Sequence, residues 1–135
     1  MAGFTFSHRL SGGKPTIQDL TFKDTETITK GDLVNLESNE IDLGATNDTS
    51  FVGVTLETKA GTDSTTKLKV ITDEDAVYSV VDANARLIGA TLDISGATGA
   101  QTVAASSNVD FTVIADSSAT EPTLVKIANG EHWLN

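Results

Sequence analysis

The residues of this chain whose types could do chemistry are few and scattered. His8 and His132 lie at opposite ends of its 135 residues. A hydrolytic site would need one of them as base, an acid to orient it, and a nucleophile such as Ser106 or Ser107. No nucleophile-elbow pattern surrounds either serine, and serines this frequent are usually solvated loop residues. Asp73, Glu74 and Asp75 form the densest acidic spot. They could hold calcium, but that ion takes roughly six to eight oxygens and the EF-hand loop pattern is absent. The triplet reads instead as a solvated loop leading into Ala76–Val81. With no cysteine and two distant histidines, neither a disulfide, a thiolate nucleophile nor a zinc site is expected. Residues 11–16, Ser-Gly-Gly-Lys-Pro-Thr, glance at a phosphate loop. That loop needs a glycine where His8 stands and a serine or threonine where Pro15 stands, so the match fails. The expectation is a chain with no catalytic residue, no metal and no cofactor.

Charge narrows the partners. The formal net charge is −10, which argues against nucleic acid, where Lys and Arg must displace counterions from phosphates. It argues equally against anionic membrane surfaces, while favouring solubility. The opening residues 1–10 hold no apolar run of signal-peptide length, and no stretch approaches a membrane span. Classical secretion is therefore not expected, and the glycosylation pattern Asn47-Asp48-Thr49 reads as chance.

The elements that must position these residues are strands. Aromatic residues make up only 5% of the chain, so the core falls to Val, Leu, Ile and Ala. Short β-like runs recur from Thr25 onward, separated by Gly, Asn, Asp and Ser: ITKGDLVNL, SFVGVTL, TKLKVI, AVYSVV, RLIGATLDI, QTVAA, VDFTVIA and TLVKIA. In residues 51–71, Val52, Val54 and Leu56 alternate with Gly53 and Thr55, and Leu68 and Val70 with Lys67 and Lys69. This predicts two strands joined by a polar loop, closing a barrel, with Gly53 at a bulge or close approach. Val109, Phe111 and Val113 are expected on one face, Asp110 and Thr112 on the other. No window supports a long amphipathic helix, and the Gly-rich residues 95–100 read as a turn. The expected fold is all-β, a small β-barrel or β-sandwich with little helix.

Residues 1–24 carry no sustained period and read as an extended N-terminal arm ahead of a barrel domain at 25–135. Phe4, Phe6 and Phe22 are too few to build a core of their own. Either the arm folds back on its own barrel, or it lies on another chain as an added strand. Each main-chain hydrogen bond nets only about 0.5–1.5 kcal/mol, so the second case needs several bonds plus the Phe anchors.

The order KGDLVNL, then ATNDTSFVGVTLETKAGTDSTTKLKVI, then AVYSV resembles the head decoration proteins of tailed bacteriophages, of the phage lambda type and relatives. The resemblance spans roughly residues 4–81 and includes the opening FTFSH with its trailing Gly-Gly. After Arg86 the chain is closer to other phage capsid cement proteins with small β-barrels. The resemblance implies a β-tulip-like protein, often trimeric, on the outer surface of the virion and made in the host cytoplasm. It would clamp major capsid protein subunits against internal pressure, its arm docking by strand addition. It would need no nucleic acid, membrane or small-molecule substrate. On this reading the capsid-binding residues are Phe4, Phe6, His8 and Arg9, with Ile17, Leu20 and Phe22 as further anchors. Arg9 would pair with a capsid acid, and Trp133 would plug the core or join subunits. A rival reading is a glycan-binding β-module on a phage tail or bacterial surface. Such sites stack sugars on exposed aromatics, and one Trp and one Tyr offer little for this. A small enzyme ranks last, for want of convergent acid, base and nucleophile.

Overall fold

The computed structural model describes residues 3–23, 26–60, 67–105 and 108–134. Ser106, Ser107 and most of the polar tip between Leu56 and Lys67 lie outside the described residues. Those described form strands, turns and irregular segments, without helix. The larger sheet has six strands: β1 (Phe4–Arg9), β9 (Ala76–Val80), β13 (Thr123–Ile127), β12 (Phe111–Val113), β10 (Thr91–Ser95) and β11 (Thr102–Ala105), in that spatial order. All its pairings are antiparallel. Against it stand β4 (Leu33–Glu37), flanked by β5 (Glu40–Leu43) and β6 (Phe51–Val54), and the pair β2 (Ile17–Thr21) with β8 (Lys67–Ile71). A two-residue pair, β3 (Thr27–Ile28) with β7 (Lys59–Ala60), completes the order. The large sheet keeps two edges, β1 and β11, so the architecture is sandwich-like and no barrel closes.

Two apolar clusters fill the molecule. The main one joins Phe4, Tyr78, Leu92, Phe111 and Val125 of the large sheet to Leu33, Phe51, Val54 and Ile71 of the facing strands. The second lies behind those strands, where Phe22, Ile28, Val34, Ile41, Val52, Leu68 and Val70 meet, with Trp133 packed against them. β6 is therefore covered on both sides, and all four of its residues are buried. Gly53 makes this possible. Its φ is +155°, and a Cβ placed on it would lie 1.8 Å from the carbonyl oxygen of Ile71 and 2.9 Å from the Tyr78 hydroxyl. Beside it the β4–β6 register slips: Val34 faces Gly53 and Asn35 faces Phe51, so Val52 is the extra residue of a bulge on β6 itself.

This kink corrects the expected alternation. Val52 faces the second cluster while Val54 faces the main one, so the two do not share a side. Nor do β6 and β8 pair as a ladder. β6 pairs with β4 and β8 with β2; between them stands a bridge at Thr55–Val70 and the hydrogen bond from Leu56 N–H to Lys69 O at 2.9 Å. Val109 also departs from its predicted face. It takes φ +59° before β12 begins and is 40% exposed, whereas Asp110, predicted outward, is buried.

Residues 3–23, expected as an extended arm, are built into the body. β1 pairs with β9 from Phe4↔Val80 to Arg9↔Ala76, with an irregularity between Phe6 and His8. The Phe4 ring meets Phe111 at 5.2 Å between centroids, and β2 runs along β8 from Ile17↔Ile71 to Thr21↔Lys67. Phe22 is fully buried and bridges Ile41. The physical reason is that each Phe gains about 1.5–3 kcal/mol on burial, Phe4 against Phe111 in the main core and Phe22 among the aliphatic side chains of the second.

Two substitutions test this packing. Gly53→Ala must move the Ile71 carbonyl or the β6 backbone, and is expected to cost about 3 kcal/mol or more in denaturant unfolding. Phe4→Ala and Phe22→Ala are each expected to cost about 3–5 kcal/mol, so a chain truncated through residue 22 should show no cooperative thermal transition.

Candidate functional site

The residues singled out near the N-terminus do not form one exposed surface. Phe4 and Phe22 belong to the two cores, and neither is available to fill a pocket on another molecule. Phe6 is half-buried, edge-on to Tyr78 at 6.4 Å, and Leu20 packs partly against the second cluster. His8 is exposed, its Nδ1 at 2.9 Å from the Ser7 hydroxyl, and Ile17 is exposed at the start of β2. Arg9 is already paired within the chain. Its Nε donates to Asp75 Oδ1 at 2.9 Å, and a terminal nitrogen lies 3.6 Å from Asp73 Oδ1.

That pairing explains the acidic triplet. Asp75 also accepts the backbone N–H and hydroxyl of Ser11, and Asp73 accepts the N–H of Thr16 at 2.6 Å. The two carboxylates thus fasten the connection between β1 and β2 onto the turn before β9. Burial pushes Asp75 up, but the hydrogen bonds from Ser11 and Arg9 and the charge of Arg9 outweigh it, holding the carboxyl at about 2. The Asp73 side chain is only 7% exposed, so the expected solvated loop is instead a clamp. Among the described residues no group of three His, Asp or Glu side chains is arranged to hold a metal ion.

The two histidines sit in different settings. His8 sits on the edge strand β1, opposite Val77. His132 is fully buried and forms a bridge with Phe51, whose N–H donates to Glu131 O and whose carbonyl accepts from Trp133 N–H, both at 2.9 Å. Burial pushes the imidazole below its ordinary value, against the opposing charge of Glu74. It is a packed core group, with Nδ1 accepting the Leu134 N–H at 3.3 Å.

Other acids and one amide act as fasteners that sequence reading did not single out. Asp32, fully buried, accepts Thr29 N–H at 2.8 Å, the Thr98 hydroxyl at 2.6 Å and Gly99 N–H at 3.0 Å. Buried Gln101 accepts Leu33 N–H at 2.6 Å and donates to the carbonyls of Leu33 and Gly44, serving β4 as a short artificial partner strand. Asp82 holds Arg86 at 2.6 Å across its loop. The only advance signal was an Asp or Gln beside Gly and Thr in turn segments, which is common in any loop.

Three surfaces remain as candidates for contact with other molecules. The edges β1 and β2 carry Thr5, His8 and Ile17 outward. One end of the large sheet shows Val81, Leu87 and Ile88, each more than half exposed. A cleft of about 600 Å³ lies where Arg9, the Thr72–Asp75 turn, the start of β2 and the end of β13 meet Trp133.

No family model matches the chain, and no curated protein matches it in sequence. A solved structure does match in fold: the N base of the head fiber gp8.5 in bacteriophage phi29, known from its crystal structure. The TM-score is 0.54 at 15% identity, over 86% of this chain and 98% of that one. The matched protein is a head fiber, and the likeness does not reach the lambda-type resemblance read from residues 4–81. At this identity what is shared is the arrangement of the strands.

Two raised carboxyls favour the fold at lower pH, against the lowered imidazole of His132. Burial pushes Asp110 up, with Asp93 and Glu131 adding to it, to about 6, although Ile94 N–H donates to it at 2.9 Å. Burial, together with a hydrogen bond and charge from Glu37, pushes Asp42 up to about 7. Both lie above the ordinary aspartate value of about 3.9, so the folded state binds more protons than the unfolded one between those values. Their contribution to stability is greatest below about 4 and is lost as pH rises through about 6 and 7. Relative to Asp42→Asn/Asp110→Asn, which keeps the opposing effect of the lowered His132 imidazole, the thermal midpoint of the intact chain is expected to rise on going from pH 7.5 to pH 5, as read by calorimetry.

Proposed function

We propose that this chain is a structural protein of a bacteriophage virion, attached non-covalently to the head through the major capsid protein. The observation that carries the reading is the fold match to a phage head-fiber base over nearly the whole of both chains. Other features agree with it. Asp73, Asp75, Asp32 and His132 are engaged in packing or in fastening loops. A surface with net charge −10 suits a protein present in many copies around a particle. The protein, on this reading, is no enzyme and takes no cofactor.

The finer reading is that it sits on the outer surface, as a homotrimer, and cements capsid subunits. The grip differs from the one expected of a free arm. Phe4 and Phe22 support it from within, while the contact itself falls to Phe6, His8, Ile17 and Leu20 along the edge strands β1 and β2. An edge strand offers unpaired N–H and C=O groups to an extended segment of another chain, and alternate side chains select it.

The test is cosedimentation of the purified protein with mature capsids of the phage that encodes it. Saturable binding is expected, weakened about tenfold by Ile17→Asp while the unfolding midpoint moves by only a few degrees. An intact protein that stays in the supernatant would overturn the reading. Light scattering decides the oligomer, with a mass three times 14.1 kDa expected.

A further inference from the structure

The cleft beside Trp133 has features that the capsid reading leaves unused. Its volume of about 600 Å³ falls within the range of about 300–1,000 Å³ usual for small-ligand sites. One wall is the half-buried indole of Trp133, with the exposed Leu134 beside it. The indole N–H has no acceptor among the described residues, so packing alone holds the ring. Gln18, Glu74 and Asn129 are exposed around the opening. No hydrogen bond or ion pair to another described residue occupies the Gln18 amide or the Glu74 carboxylate. Asn129 accepts from Lys126 Nζ at 3.4 Å through its carbonyl oxygen, which leaves its NH₂ free to donate.

The charges of the cleft narrow the ligand further. Asp73 and Asp75 are occupied by Arg9, Ser11 and Thr16. Two cations, Arg9 and Lys126, stand against three carboxylates, so the cleft is nearly neutral in a chain of net charge −10. A polyanion meets Arg9 already paired with Asp73 and Asp75, and a lone Lys126 offset by the Glu74 carboxylate in the same lining, while a polycation would find stronger sites elsewhere on this surface. What remains is the partly exposed side of Trp133, edged by donors and acceptors. That arrangement suits a molecule with C–H faces and many hydroxyls.

We propose that this cleft binds a neutral saccharide. One sugar ring lies on the Trp133 indole, and its hydroxyls bond to Gln18, Glu74 and Asn129. The ligand is bound and not converted. Asn129 lies outside the β1 and β2 edges assigned to capsid contact, so Asn129→Ala alone separates binding in the cleft from attachment to capsids.

The chain has a single tryptophan, so its emission comes from the residue that lines the cleft. The intact protein is screened on an array of neutral glycans, and hits are titrated as free oligosaccharides, with maltose and the N-acetylglucosamine disaccharide included throughout. At least one saccharide is expected to shift Trp133 emission saturably. Gln18→Ala/Asn129→Ala, at two exposed positions, is expected to raise its Kd about tenfold or more while leaving the unfolding midpoint in place. The proposal is overturned if no saccharide shifts the emission, or if the shift is the same in the double variant. It is equally overturned if capsids, and not sugars, produce the shift.

Discussion

The structure depends on the passage of β6 between two cores, and that passage depends on the absence of a side chain at Gly53. With only hydrogen there, the backbone comes against the Ile71 carbonyl, and Val52 and Val54 turn to opposite clusters. One short strand thereby serves as the inner wall of both. A chain with 5% aromatic residues and many short strands has little apolar surface to spend on separate cores. Sharing the wall lets Val, Leu and Ile do work that larger rings do elsewhere.

Short strands bring many turns, and each turn leaves backbone N–H groups without a ladder partner. Buried carboxylates satisfy much of that need. Asp32, Asp73, Asp75 and Asp110 each accept backbone N–H groups from segments distant in sequence or across a turn. The acidity of the chain thus has two parts. Some carboxylates are exposed and repel other molecules, while others are structural and shift their pKa according to what meets them. Asp75 meets a cation and two donors and is driven down; Asp42 and Asp110 meet other acids in a desolvated setting and are driven up.

The clamp of Arg9 on Asp75 also links the fold to the two candidate surfaces. It holds the β1–β2 connection against the turn before β9, which sets the β2 edge on one side and the floor of the Trp133 cleft on the other. The C-terminal segment completes the cleft because Phe51 bonds to Glu131 and Trp133 on either side of His132. Residues from both ends of the chain therefore meet at one place, each held there by strands of the middle.

The sequence by itself determined that the protein is all-β, because alternating Val, Leu, Ile and Thr between turn residues permits little else. It also placed most strands and marked Gly53 as a point of close approach, since a lone glycine within a strand has few other uses. What it left open was which strand pairs with which, a matter of contacts distant along the chain. Tertiary structure alone decided that β6 pairs with β4 and not β8, and that Phe4 and Phe22 complete the chain's own cores. It alone turned the acidic triplet from a solvated loop into a clamp, because Arg9 and Asp75 are 66 residues apart. The cleft was illegible for the same reason: Gln18, Glu74, Asn129 and Trp133 acquire a common surface only once β2, β8 and β13 are in register.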